Sequence, residues 1–193
     1  MQLDNAVVFI SGANRGLGLA FAREALARGA KKVYAGARKP ESVTLAGVIP
    51  VKLDVTNEQD IADAARLCPD VTVLINNAGI AETGGFLTDG AEAMFLRQIA
   101  VNVLGPLRLT RAFAPVLANH GGGAVINVLS VGSWITGPLL ATYAATKSAA
   151  WSLTNALRQE LVAQHTHVLG LHAGFIDTDL TTELDVPKSS PKP

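Results

Sequence analysis

The chain has 193 residues, enough to bury a sizeable core yet short enough that one domain is the natural expectation. Its 16 Lys+Arg against 16 Asp+Glu exclude the broad basic surface that binding a nucleic-acid backbone requires. The single cysteine, Cys68, excludes an internal disulfide framework and a cysteine metal cluster.

Hydrophobic residues make up 49% and charged ones 17%, a balance that suits a parallel sheet covered by helices on both faces, with some apolar surface left for homo-oligomer contacts. Met1 to Asn5 carries no cationic leader and no apolar run approaches membrane-spanning length. A cytoplasmic chain with no membrane partner is expected.

In chain order, Ala6–Ile10 reads as a strand, and the helical spacing of Leu17–Arg28 ends at Gly29, a C-cap candidate. Lys32–Gly36 and Ile49–Val55 read as the second and third strands. Thr56 and Gln59 form a capping-box pattern into a helix over Glu58–Leu67, and Val71–Asn76 is a fourth strand. A long helical region runs from about Ala91 to Ala118, where Gly105-Pro106 should bend it or interrupt its hydrogen bonds. Ala124–Leu129 is a fifth strand, Thr142–Ala163 a long helix and His167–His172 a sixth strand. This alternation predicts an α/β fold: a Rossmann-like, doubly wound parallel sheet of about six strands in a single domain over 1–186. The stretch 187–193, polar and proline-punctuated, reads as a disordered or loosely attached tail.

Glycines at Gly12, Gly16 and Gly18 follow the first strand and open a helix. Glycines there allow a tight turn and let the backbone approach a pyrophosphate, whose charge the helix N-terminus stabilises. After the second strand, where a carboxylate would hold the ribose 2′-hydroxyl of NAD, the chain reads Gly36-Ala37-Arg38-Lys39. Arg38, with Arg15 inside the turn, suits a 2′-phosphate, so NADP(H) is preferred over NAD(H).

Tyr143 and Lys147 stand four apart in a predicted helix, which puts the phenol and the ammonium on one face. A cation there stabilises phenolate and makes the hydroxyl a usable acid or base. Ser130 lies at the carboxyl end of the fifth strand, where open α/β sheets place their ligands. Trp134, Ile135, Leu139 and Leu140 come after it, forming either an apolar substrate wall or a loop packed on the core. His165, His167 and His172 lack carboxylate or cysteine companions, and no metal is expected.

The glycine turn, Asp54, Asn76-Asn77-Ala78-Gly79, Asn102, Ser130, Tyr143 and Lys147 occur in the order of the short-chain dehydrogenase/reductase family, which the chain resembles from Ala6 to about Leu180. The resemblance implies that Tyr143 exchanges the proton and Ser130 orients the carbonyl oxygen. Lys147 would hold the nicotinamide ribose and lower the tyrosine pKa, while Asn102, at a helix distortion, helps hold a water. It also implies that Gly12, Asn14, Arg15, Gly16, Leu17 and Gly18 meet the nucleotide, that Asp54 and Val55 contact adenine, and that Asn77, Ala78 and Gly79 line its ribose. Gly174, Ile176 and Thr178 would meet the nicotinamide, and Ser130 and Tyr143 the substrate; Trp134 is a substrate candidate from the apolar run alone.

Local readings stay open beside these: Asp54 as a loop cap, Asn102 as a helix-bend residue and Thr178 as a turn former. Ala173-Gly174 stands where the family commonly has Pro-Gly. Family members continue into substrate-covering helices and a seventh strand, so a shortened C-terminus is expected. The function implied is hydride transfer between NADP(H) and a carbonyl or alcohol. A non-catalytic nucleotide-binding regulator and an epimerase or dehydratase are the alternatives. The first leads because every catalytic position is filled.

Overall fold

A computed structural model describes residues 3–178 and 187–191. Its core is one six-stranded parallel sheet in the order β3-β2-β1-β4-β5-β6. The strands are β1 (Val7–Ser11), β2 (Lys32–Ala37), β3 (Ile49–Lys52), β4 (Val73–Asn76), β5 (Gly123–Ser130) and β6 (Thr166–Ala173). The helices are α1 (Gly16–Ala27), α2 (Glu58–Leu67), α3 (Ala91–Ile99), α4 (Gly105–Asn119) and α5 (Ala141–Glu160). The doubly wound architecture is therefore as expected, whereas the expected domain boundary at 186 lies outside the described residues.

Central strands have no wet face, and all five residues of β1 are buried. Alternate residues feed two cores, as the period of a strand demands. Val7, Phe9, Leu74 and Val125 meet Phe113, Leu117 and Leu157 on one face, with the Phe9 and Phe113 rings 4.8 Å apart. Val8, Ile10, Val33 and Ile75 meet Ala22 and Ala25 of α1 on the other.

Two local expectations are corrected, and the interruption expected near Gly105-Pro106 is found in a specific form. The cap of α2 is Asn57, whose side-chain oxygen accepts from the Gln59 and Asp60 amides, while Thr56 is drawn off to Asp54. β3 stops at Lys52, short of Val55, because Asp54 caps the following loop through the amide and hydroxyl of Thr56. The long helical region is divided by a π-helical turn, Ala100–Leu104, just before Gly105-Pro106. Pro106 has no N–H to give the Asn102 carbonyl four residues back, so the ladder widens there. In the stretch read as a tail, the Ser189 amide donates to Phe175 O and its carbonyl accepts from the Asp177 amide.

Backbone approaches closely at Gly18, in the first turn of α1. A Cβ there would lie 2.2 Å from the Gly12 carbonyl oxygen and 2.5 Å from Asn77 Nδ2. Gly18→Ala should therefore lower the unfolding free energy by about 1–3 kcal/mol in urea titrations. The matching control, Gly137→Ala, adds its methyl to open space and should cost nothing; equal effects at both positions would refute the packing argument.

Candidate active site

The six parallel strands end on one rim, and the site is assembled from the segments that leave those strand ends. The Ser11 hydroxyl, at the end of β1, accepts the amides of Asn77 and Ala78 at 3.0 Å each. Asn77 returns the tie, its Nδ2 donating to Ser11 O at 2.9 Å and Gly12 O at 3.1 Å. The glycine turn and the end of β4 are thereby fixed edge to edge.

One continuous cleft runs from Gly12, Asn14, Arg15, Gly16, Leu17 and Gly18, past Arg38, Asp54 and Val55, to Asn77, Ala78 and Gly79. It continues to Ser130, Tyr143 and Lys147 and ends at Gly174, Ile176 and Thr178. Partial burial of Asp54 opposes its ionisation, but the Thr56 hydrogen bonds outweigh that and hold its carboxyl below the usual range, with Arg38 adding attraction. Arg38 and Asp54 thus face one end of the cleft.

At the other end, Tyr143 and Lys147 project from α5 towards the end of β5. Burial raises the Tyr143 pKa above 10, opposed by a hydrogen bond from Ser130. Ser130 Oγ accepts the Gly132 amide at 3.0 Å, which leaves its own proton to donate. The Lys147 ammonium donates to Val128 O at 2.8 Å and lies 5.6 Å from the Tyr143 ring centroid. Burial lowers its pKa to about 8. Asn102 lines a small cavity behind Lys147 rather than the cleft, together with Asn76, whose Oδ1 is buried without a hydrogen-bond partner. Its side chain is committed to structure: Oδ1 accepts the Ile80 amide, and Nδ2 donates to Ile80 O and Thr146 Oγ1.

Trp134 is the departure. Expected at the substrate, it does not line the cleft; its ring stacks on His172 at a centroid distance of 3.9 Å. Ile135, Leu139 and Leu140 do line the cleft, so of the two readings for that loop these three take the wall and Trp134 takes the packing.

Sequence reasoning missed Gln98. It is fully buried and donates to Thr142 at 2.9 Å, one helical turn before the matching Asn102–Thr146 bond at 3.0 Å. The signal was present as two polar pairs with i,i+4 spacing, Gln98/Asn102 and Thr142/Thr146. Glu82 was missed as well. It lines the cleft and is held by a two-pronged ion pair from Arg97.

Among the described residues no helix is long and apolar enough to cross a membrane. The short chain dehydrogenase family model matches residues 6–188. The short chain dehydrogenase tazN of Aspergillus terreus is 33% identical over 93% of this chain and 43% of its own length. The oxidoreductase BOA17 of Botryotinia fuckeliana is 34% identical over 94% of this chain and 70% of its own. The chain thus spans less than half of the first relative and over two thirds of the second. A short chain dehydrogenase from Burkholderia cenocepacia, solved in complex with NADP, superposes with a TM-score of 0.95 at 38% identity, over 100% of this chain and 81% of its own. On this match and on the order of its site residues, the chain belongs to the short-chain dehydrogenase family.

Proposed function

We propose that the chain is an NADP(H)-dependent reductase or dehydrogenase that interconverts a carbonyl and an alcohol. The observation that carries the reading is one cleft holding Ser130, Tyr143 and Lys147 at one end and the glycine turn with Arg38 at the other. We also read 1–186 as one nucleotide-binding domain and 187–193 as its polar tail, working in the cytoplasm.

The residues present fit the dinucleotide. At the turn a Cβ on Gly12 would sit 3.1 Å from Ala78 Cα, so backbone replaces side chain where the pyrophosphate must approach. Arg15, Arg38 and Lys39 line the cleft nearby, and no carboxylate follows β2 directly to hold a free 2′-hydroxyl. The NADP complex of the Burkholderia relative supports the same preference.

When bound, the nicotinamide supplies the hydride. Tyr143, kept protonated by burial, gives its phenolic proton to the carbonyl oxygen, which the Ser130 hydroxyl orients by a second hydrogen bond. Lys147 balances the charge left on the phenol. The cavity beside it, with the unpaired Asn76 Oδ1, suits a water that returns the proton. The wall opposite, with Met94, Val131, Ile135, Pro138, Leu139 and Leu140, favours a substrate with an apolar body.

Three outcomes are expected. Tyr143→Phe abolishes turnover on a carbonyl panel while NADPH still binds, as followed by nicotinamide fluorescence; a wild-type rate would refute the proton-donor role. Arg38→Ala weakens NADPH by about tenfold or more, the scale of a lost charge-assisted contact, and barely affects NADH. Equal losses for both would remove the 2′-phosphate assignment. The pH profile is set by Lys147, which carries its charge below its lowered pKa of about 8 and loses it above. Reductive kcat/KM should be level at lower pH and fall through about pH 8, a limb that Lys147→Met lacks in whatever activity it retains.

A further inference from the structure

The chain has two tryptophans, and their rings meet edge-on. Trp134 follows the short 3-10 turn Val131–Ser133, to which its amide is tied, and Trp151 comes from α5. His172, from β6, completes a cluster of three rings. Its ring stacks on Trp134 at 3.9 Å with planes 20° apart, and Trp151 meets both rings edge-on, 5.9 Å from His172 and 6.1 Å from Trp134.

The polar edge of that histidine is aimed at the Ser130 backbone. His172 Nδ1 lies 3.2 Å from Ser130 O, and a carbonyl can only accept, so Nδ1 carries the hydrogen. Ladder register brings the two together, since β5 and β6 pair Leu129 with His172 and Ser130 with Ala173. On the other side of the same turn, Ser148 of α5, one residue beyond Lys147, donates to Ser133 O at 2.9 Å. The turn that carries Ser130 is therefore clamped between β6 and α5. His172 itself does not line the cleft.

We infer that His172 is a positioning residue for Ser130: its Nδ1–H holds the Ser130 carbonyl, and the stack on Trp134 holds the imidazole in the plane that makes this bond possible. Ser130 is then fixed at both ends, its carbonyl by His172 and its Oγ by the Gly132 amide, so its proton stays directed at Tyr143. This rests on the roles given to Ser130 and Tyr143 above. It assigns Trp134 a supporting place through the imidazole instead of a substrate contact.

Two substitutions separate the two contacts of the imidazole. His172→Phe keeps a ring for the stack and removes the donor, whereas His172→Asn supplies an amide N–H near the Nδ1 position and removes the ring. With a carbonyl substrate and NADPH, His172→Phe should lower kcat about tenfold with KM and the NADPH dissociation constant nearly unchanged, as a small misplacement of a reacting group does. His172→Asn should recover most of the loss.

The second readout needs no turnover. Labelling with 13C-tyrosine gives two resonances, from Tyr34 and Tyr143, assigned through Tyr143→Phe. Ser130→Ala removes the bond that lowers the Tyr143 pKa, and should move its titration upward. His172→Phe should move it the same way and His172→Asn should not. If His172→Phe does not fold, His172→Ala takes its place under the same criteria.

A wild-type kcat and an unmoved Tyr143 titration in the donor-less variant would overturn the inference. So would an Asn variant as impaired as the Phe variant, since the ring alone would then matter. Should the wild-type chain turn over no carbonyl while Tyr143 still responds to both Ser130→Ala and His172→Phe, the reductase reading fails and the positioning role stands.

Discussion

Every part of the site depends on the gap between β1 and β4. These adjacent parallel strands send their chains to opposite faces of the sheet, β1 into α1 on one side and β4 towards α3 and α4 on the other. No helix can then cover the strand ends between them, and a crevice opens there. Left alone, the two ends would expose backbone donors with no ladder partner. Ser11 solves this with one hydroxyl, which accepts both the Asn77 and Ala78 amides, while the Asn77 side chain returns two bonds to the β1 end. The crevice is rigid because those four bonds cross it.

That constraint explains which parts of the fold were legible in the sequence. Strand and helix follow from the period of apolar residues and from glycine punctuation, so all six strands and the main helices could be read in order. Element ends could not, because they are decided by competition between neighbouring side chains. Thr56 and Asn57 both qualify as caps, and Asn57 prevails because Asp54 engages Thr56 first. The distortion near Gly105-Pro106 was legible from proline chemistry. Its form as a π-helical turn over Ala100–Leu104 depends on α5 packing close by, where Thr146 takes the Asn102 amide.

The site divides in the same way. Residues set by backbone demands, the glycine turn and the Asn77–Gly79 segment, could be named from type and spacing. Gly12 is such a case, with a φ of +68° and a Cβ that would lie 3.1 Å from Ala78 Cα. Residues that act through tertiary contact could not be named. Gln98 and Thr142 were ordinary polar residues until α3 and α5 were laid side by side. Trp134 was apolar and four residues past Ser130, which allowed a substrate wall or a loop packed on the core. The register of β6 sets His172 against the indole, which stacks on it and does not line the cleft.

The electrostatics of the reacting end then come from burial working on two groups of opposite charge type. Withdrawal from water penalises whichever form is charged, so it raises the Tyr143 phenol and lowers the Lys147 ammonium. Each shift opposes a phenolate–ammonium pair at rest. On the phenol the Ser130 hydrogen bond acts against the shift, while the ammonium keeps the Val128 carbonyl as its acceptor. The balance leaves a neutral phenol beside an ammonium whose pKa is about 8, so near neutrality the tyrosine holds its proton and the lysine its charge. A phenolate becomes favourable only while a proton is leaving for a substrate oxygen, when the ammonium is already in place to balance the charge and the Ser130 hydroxyl turns to the substrate. The resting site thus holds a proton on Tyr143 and a charge on Lys147, the protonation state that the proposed reaction needs in its reductive direction.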